Sequence, residues 1–178
     1  KHLEKAQALM GNTPYTLDSL RKALYEADKA LKIAPENTNA GRLADSIKNE
    51  IDSLTKKAET LYSSASKAAE ANDWNAAITS LKEIDKFYPN YLDLPIKMGL
   101  VENSGIAYYL TEAEKYKKTE DWKDATDALT SALKMQPGNA DMEARLREAQ
   151  KRHNPEFYLS RAVEASQKND WQGVKTFI

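Results

Sequence analysis

The stretch EDWKDATDALTSALKMQPGN, Glu120 to Asn139, decides the fold of this 178-residue chain. Asp121 and Trp122 open it, Ala125, Leu129 and Ala132 run through it, and Pro137 closes it fifteen residues after the Trp. The same frame returns in NDWNAAITSLKEIDKFYPNY, Asn72 to Tyr91, and begins again in NDWQGVKTFI, from Asn169. Trp74, Trp122 and Trp171 are separated by 48 and 49 residues. Ala77, Leu81 and Pro89 stand where Ala125, Leu129 and Pro137 stand in the next copy. An earlier copy places Leu20, Ala23, Ala27, Ala30 and Pro35 at the same offsets, and Val174 and Ile178 follow Trp171. A pattern that returns at a fixed interval reports a repeated structural unit.

The offsets have a helical meaning. Trp74, Ala77, Ile78, Leu81, Ile84 and Tyr88 are spaced by three and four, which makes them one face of an amphipathic helix. Asp73, Asp121 and Asp170 each sit just ahead of such a helix. A carboxylate oxygen there accepts from an unpaired N–H of the first turn, for about 1 kcal/mol, and its charge suits the helix dipole. Pro35, Pro89 and Pro137 cannot continue a helix and mark its end. Upstream, Ala65, Ala113 and Ala162 each fall nine residues before the Trp, followed three later by Ala68, Tyr116 and Ala165. A small side chain at that place lets a second helix approach closely, without the backbone entropy that Gly would cost. The unit is therefore a helical hairpin, and stacked copies share a continuous core that one copy could not bury alone.

These residues resemble the tetratricopeptide repeat. Ala113, Tyr116, Ala125, Leu129, Ala132 and Pro137 fall in register with the family pattern of a small residue and an aromatic, then Ala, a large apolar residue, Ala and Pro. The second copy has Ile84 in place of the second Ala, and the first has Ala27 in place of the large apolar residue. The resemblance implies an all-α, right-handed α-solenoid of stacked antiparallel helical hairpins over 1–178, with approximate repeats 1–36, 37–90, 91–138 and 139–178. The family repeats about every 34 residues. The fourteen extra residues here lie between the Pro and the next small residue. They are enough for about four further helical turns, or about 21 Å. Asn37 to Ala71 contains no Pro and is expected to be one long helix, with Leu43, Ile47, Ile51, Leu54, Ala58, Leu61 and Ala65 along a face. Asp93 with Pro95 is expected to start the next, and Asn154-Pro155 to kink or split the third. Gly11 and Pro14 in GNTPYT imply a break in the first. Because Ile178 falls inside a half-hairpin, the chain is expected to be a segment of a longer protein. Elongated forms of this kind resemble repeats appended to larger bacterial signalling or scaffold proteins.

Composition narrows the function. Charged residues are 30% and apolar residues 41% of the chain, an ordinary folded composition. The net charge of −1 gives no global attraction to nucleic acid or anionic lipid. No apolar run approaches the roughly 20 residues needed to span a bilayer. Without Cys there is neither disulfide nor thiolate chemistry, and the compartment stays open. His2 and His153 lack a second His or a Cys at ligand spacing, so no metal or other cofactor is expected. The scattered Gly residues form no phosphate-cradling loop, and the carboxylates read as solvated helix faces, so no enzymatic activity is expected. The Trp residues, with Tyr88, Tyr91, Tyr108 and Tyr109, read as packing of the hairpins. RLREAQKRH, Arg145 to His153, reads as a solvated face interleaved with Glu148.

The family resemblance implies a concave groove along the first helices that holds an extended or helical segment of a partner protein. Its positions, carried over residue by residue, are Tyr62, Leu110 and Leu159 before the small residue. Ser66, Glu114 and Val163 come just after it, and Ala69, Lys117 and Ser166 one turn on. The Lys, Asn and Arg set with which some members clamp a C-terminal carboxylate is missing there. The expected function is a non-catalytic protein–protein interaction module. The alternatives are a structural spacer that self-associates and a regulatory segment of a larger signalling protein.

Overall fold

The computed structural model describes residues 1–11 and 13–177. Asn12, inside GNTPYT, and Ile178, the last position of the repeat frame, lie outside the described residues. Among the described residues every regular element is an α-helix. In chain order these are α1 (His2–Met10), α2 (Leu17–Ile33), α3 (Thr38–Glu70), α4 (Trp74–Phe87), α5 (Leu94–Lys118), α6 (Trp122–Met135), α7 (Ala140–His153), α8 (Pro155–Gln167) and α9 (Trp171–Phe177).

The chain divides into two compact units, Lys1–Leu100 and Val101–Ile178, with the division inside α5. In the first, α1 packs on α2, α2 on α3 and α3 on α4; in the second, α6 packs on α7, α7 on α8 and α8 on α9. Neighbours in sequence are therefore neighbours in space within each unit. Their antiparallel sense in the first unit is visible in its ion pairs. His2, at the start of α1, meets Glu26 midway along α2 at 2.5 Å, and Lys57 of α3 reaches Glu83 of α4 at 3.3 Å.

One turn, used three times, makes these hairpins tight. At the end of α3, the Asp73 N–H donates to the Ala68 carbonyl at 2.8 Å and the Asn72 N–H to that of Ala69 at 3.0 Å. Asp121 and Glu120 repeat both bonds to Tyr116 and Lys117 at 2.9 and 3.2 Å, and Asp170 and Asn169 to Ala165 and Ser166 at 2.9 and 3.0 Å. This is the Schellman arrangement, which occupies the last free carbonyls of a helix and places one residue in the left-handed region. That residue is Asn72 (φ 60°), Glu120 (φ 60°) or Asn169 (φ 57°). The Asp that follows then caps the next helix: its carboxylate accepts from the N–H of Ala76, Asp124 or Gly173 at 3.1, 3.2 or 2.9 Å. One Asp thus ends a helix with its backbone and starts another with its side chain.

Most of the apolar face read from the sequence is buried or half-buried, with Trp171 the exception. Ala23, Ala65, Ala77, Leu81, Ala113, Ala125, Leu129 and Ala132 are wholly enclosed, Ala162 is nearly so, and Ala30 is half-buried. In the first unit, Ala6, Leu20, Ala23, Ala27, Ala44 and Ile47 join α1, α2 and α3 into one core. In the second, Ala113, Ala125, Ala128, Leu129 and Ala149 form the core, flanked by Leu110, Tyr116, Trp122 and Leu146. Each fully buried Leu or Ile contributes roughly 1.5–3 kcal/mol. The abundant Ala adds little area per residue, but it allows the close helix approach that encloses the larger side chains.

The long helix is where the sequence places it. α3 has 33 residues, with Asn37 and Ala71 as its caps. At the helical rise that is a rod of about 50 Å. α5 starts at Leu94, immediately before Pro95. The third elongated segment is split in two. Asn154 is extended (φ −76°, ψ 121°); it ends α7, and its side chain accepts from the Glu156 N–H at 3.0 Å to cap α8, with Pro155 in the first turn. Helices α2, α4 and α6 end at Ile33, Phe87 and Met135, each two residues before its Pro. Gly138 follows Pro137 with φ 78°, a conformation that a side chain would strain.

Candidate functional site

The expected groove positions fall in three groups with different surroundings. Tyr62 and Ser66 lie one turn apart on α3, where polar and aromatic groups from the α4–α5 connection close over them. The Tyr62 hydroxyl donates to Asp93 Oδ1, and its ring stands edge-on to Tyr91, with centroids 5.6 Å apart. Lys97 Nζ lies 4.6 Å from the same ring and donates to Ser66 Oγ at 2.9 Å, while Ser66 Oγ donates to the Tyr62 carbonyl at 3.1 Å. Tyr91 stacks edge-on with Tyr88 at 5.2 Å, and Arg21 Nη2 donates to the Tyr88 hydroxyl at 3.2 Å. Burial, reinforced by the hydrogen bond to Asp93, pushes the Tyr62 phenol up to about 12, since both effects favour the protonated form. Burial also raises Tyr91. The half-buried Tyr62 is thus held by an acid, a cation and a second ring, and it ties α3 to the segment that opens α5.

Leu110, Glu114 and Lys117 follow one another along α5 in the second unit. Leu110 packs against the Ala113–Leu129 core, so its side chain is shared between that core and the surface. Glu114 accepts from Lys117 Nζ at 2.9 Å and lies 3.6 Å from Arg145 of α7. The hydrogen bond from Lys117, then the charges of Lys117 and Arg145, hold its carboxyl below the usual range. Lys117 is mostly sheltered by this pairing.

Leu159 and Val163 have open surroundings. They sit one turn apart on α8, 65% and 50% exposed, beside the stripe of buried Ala162 and Ala165. Ala69 and Ser166, one turn beyond the small residues, are half-buried. An exposed apolar pair on a helix whose other face is satisfied can take an apolar side chain from elsewhere. The repeated Trp residues divide in the same way. Trp122 is half-buried beside the core with the Arg152 guanidinium 4.9 Å from its ring, and Trp74 is half-buried, whereas Trp171 is 62% exposed.

Several participants are not marked by the repeat. Asp93 reads in the sequence as a helix start, yet its carboxylate serves Tyr62, 31 residues away. Lys97 carries no periodic signal at all. The three arginines of the basic run pair along their own helix, Arg145 to Asp141 at 2.8 Å, Arg147 to Glu143 at 3.7 Å and Arg152 to Glu148 at 2.7 Å. His153 is exposed. Among the described residues no three His, Cys, Asp or Glu side chains gather as a metal site, and no helix is long and apolar enough to cross a membrane. Comparison with protein-family models, with curated proteins and with solved structures finds nothing that matches this chain.

Proposed function

We propose that the chain is a non-catalytic, tetratricopeptide-like interaction module, a right-handed solenoid whose first-helix groove holds a peptide or helix of a partner protein. The exposed Leu159–Val163 pair carries this reading. It occupies expected groove positions on a helix that is already anchored by the buried Ala162 and Ala165. Glu114 and Lys117, expected groove positions in the same unit, would add charged groups that set orientation. A preformed helical surface binds with little ordering cost on the receptor side.

The test places a photo-reactive phenylalanine at Leu159 or Val163, with Lys48 on the solvent side of α3 as control, and cross-links in native extract. A partner should attach through 159 or 163 and not through 48, and Leu159→Glu/Val163→Glu should abolish the cross-linked capture at unchanged helicity. Equal labelling from all three positions would overturn the reading.

The exposed Trp171 favours a second reading, a spacer that stacks on copies of itself, since its counterparts Trp74 and Trp122 are half-buried. Sedimentation should then show association that Trp171→Ser removes. A monomer at all concentrations would leave only the first reading.

A further inference from the structure

A cleft of about 620 Å³ opens between α1 and α2 in the first unit, and none of the groove positions lines it. Its walls are mostly apolar: Ala8, Leu9, the ring of Tyr25 and the methylene stems of Lys5, Arg21 and Lys22. A second cleft of about 510 Å³, lined by Tyr25, Asp28, Lys29, Leu31 and Lys32, shares the Tyr25 ring. Together they run along α2 from Arg21 to Lys32, about 16 Å at the helical rise. We propose that this track binds an acidic, amphipathic segment of a partner protein, with apolar side chains in the two clefts and carboxylates on the lysines and arginine between them. The inference rests on the interaction-module reading only in taking the ligand to be a protein segment.

Charge selects the ligand. Five cations border the track against two carboxylates, Glu26 and Asp28. Glu26 is already engaged: its Oε2 lies 2.5 Å from His2 Nδ1, and that hydrogen bond, with the charge of Lys5, holds its carboxyl below the usual range. Lys5 and Lys32 make no ion pair among the described residues. Arg21 donates to the Tyr88 hydroxyl at 3.2 Å, with its guanidinium 5.4 Å from the centre of that ring, and pairs with no carboxylate among the described residues. Lys22 pairs with Asp18 at 2.6 Å across one exposed turn, a pairing that solvent weakens and a ligand carboxylate can replace. Lys29 Nζ stands 4.3 Å from the Tyr25 ring centroid and marks the divide between the clefts with a further cation.

Shape selects an elongated ligand. Each cavity is open to solvent and large enough for one or two apolar side chains, and the two follow one helix face in series. A small amphiphile would fill one cleft and leave the other wet. A segment with apolar residues one turn apart, flanked by Glu or Asp, fills both and brings its charges to the rim. This surface lies between a first and a second helix, and its cations hold side-chain carboxylates along a segment rather than a chain terminus.

The probes are three dye-labelled helical peptides, one of Leu and Glu, one of Leu and Lys, and one of Ala and Glu, measured by fluorescence anisotropy on the full chain. The Leu/Glu peptide should bind saturably, with affinity that falls steeply as salt rises, and the Leu/Lys peptide about tenfold or more weaker. The Ala/Glu peptide should keep the salt dependence and lose most of the affinity. Lys5→Glu/Lys22→Glu should reverse the preference between the Leu peptides, and Lys5→Gln/Lys22→Gln, which adds no repulsion, should weaken Leu/Glu binding alone. Tyr25→Ser should weaken it without changing the salt slope. Equal binding of both Leu peptides, or an unchanged preference in the folded charge variants, would overturn the proposal, as would the absence of saturation. Leu159→Glu/Val163→Glu should leave this binding intact. Cross-linking through 159 or 163 without Leu/Glu binding would refute the track and keep the module; Leu/Glu binding without such cross-linking would refute the first-helix groove and keep the track.

Discussion

At the scale of single residues, the same turn is built from unequal parts. Asn72 and Asn169 occupy their left-handed positions at low cost, because Asn tolerates that region better than other side chains. Glu120 at φ 60° does not have that tolerance. Glu120→Asn should stabilise the chain by about 1 kcal/mol. For a chain of this size that raises Tm by about 2–4 °C. Asn72→Glu should cost a similar amount, and thermal unfolding of the two variants checks both signs. Tyr62 supplies a second prediction. An unfolded tyrosine releases its proton at about pH 10, whereas folded Tyr62 keeps its proton up to about 12. The folded state binds that proton more tightly, so the contribution is complete below about pH 10 and is lost as pH rises from there through about 12. Tyr62→Phe removes it. Stability of the variant, measured in denaturant across that window, should fall less steeply than in the parent chain, and parallel curves would place Tyr62 in a solvated site.

At the scale of elements, each helix has a stated beginning and end, and most of these were legible in the sequence. Asp73 and Asp121 announce α4 and α6 because a cap is a local device, made between residues three apart. Asn37 and the absence of Pro up to Ala71 delimit α3, and Asn154 with Pro155 splits α7 from α8, for the same local reason. The Tyr62–Asp93 bond was not legible. It joins two helix-starting and helix-lining residues whose periodic signals are already explained, and pairing over 31 residues leaves no trace in spacing. Nor does the frame distinguish Trp171 from Trp122, since periodicity states which face a residue occupies and not whether another element covers it. Leu110 and Leu159 hold equivalent positions, yet one flanks a core and the other faces solvent. Packing gives the prediction here. Ala125 is wholly enclosed between α5, α6 and α7 side chains. Ala125→Leu should overpack the hairpin and destabilise it by about 1–3 kcal/mol. Asp121→Ala should cost about 1 kcal/mol through the lost cap, leaving the backbone bonds to Tyr116 and Lys117 in place. Calorimetry on the two variants separates crowding from capping, and an unchanged Ala125→Leu midpoint would contradict the register.

At the scale of the whole molecule, small residues inside and charged pairs outside leave a few apolar side chains uncovered. Leu159→Glu/Val163→Glu should change stability by less than about 0.5 kcal/mol, as expected of surface positions without a structural partner. A larger loss would mean that α8 is covered within the chain and is not a binding face. The two candidate surfaces then divide the molecule by chemistry: α8 offers apolar contact with little charge, and α2 offers apolar clefts ringed by cations. The doubly employed Asp at each tight turn has a consequence for how such a chain changes length over time. A residue inserted at Asp73 or Asp121 would separate the end of one helix from the start of the next, and both sets of hydrogen bonds would be lost at once. At the far end the connections differ from one another: Asn37 bonds the Ala34 carbonyl and caps α3, whereas the α4–α5 connection is held by the contacts of Tyr91 and Asp93 with Tyr62. A connection that takes more than one form should tolerate a change of length better than a turn that takes a single form at every use. Each hairpin resembles a pair of compasses with a fixed pivot, its legs free to lengthen while the angle at the pivot is kept.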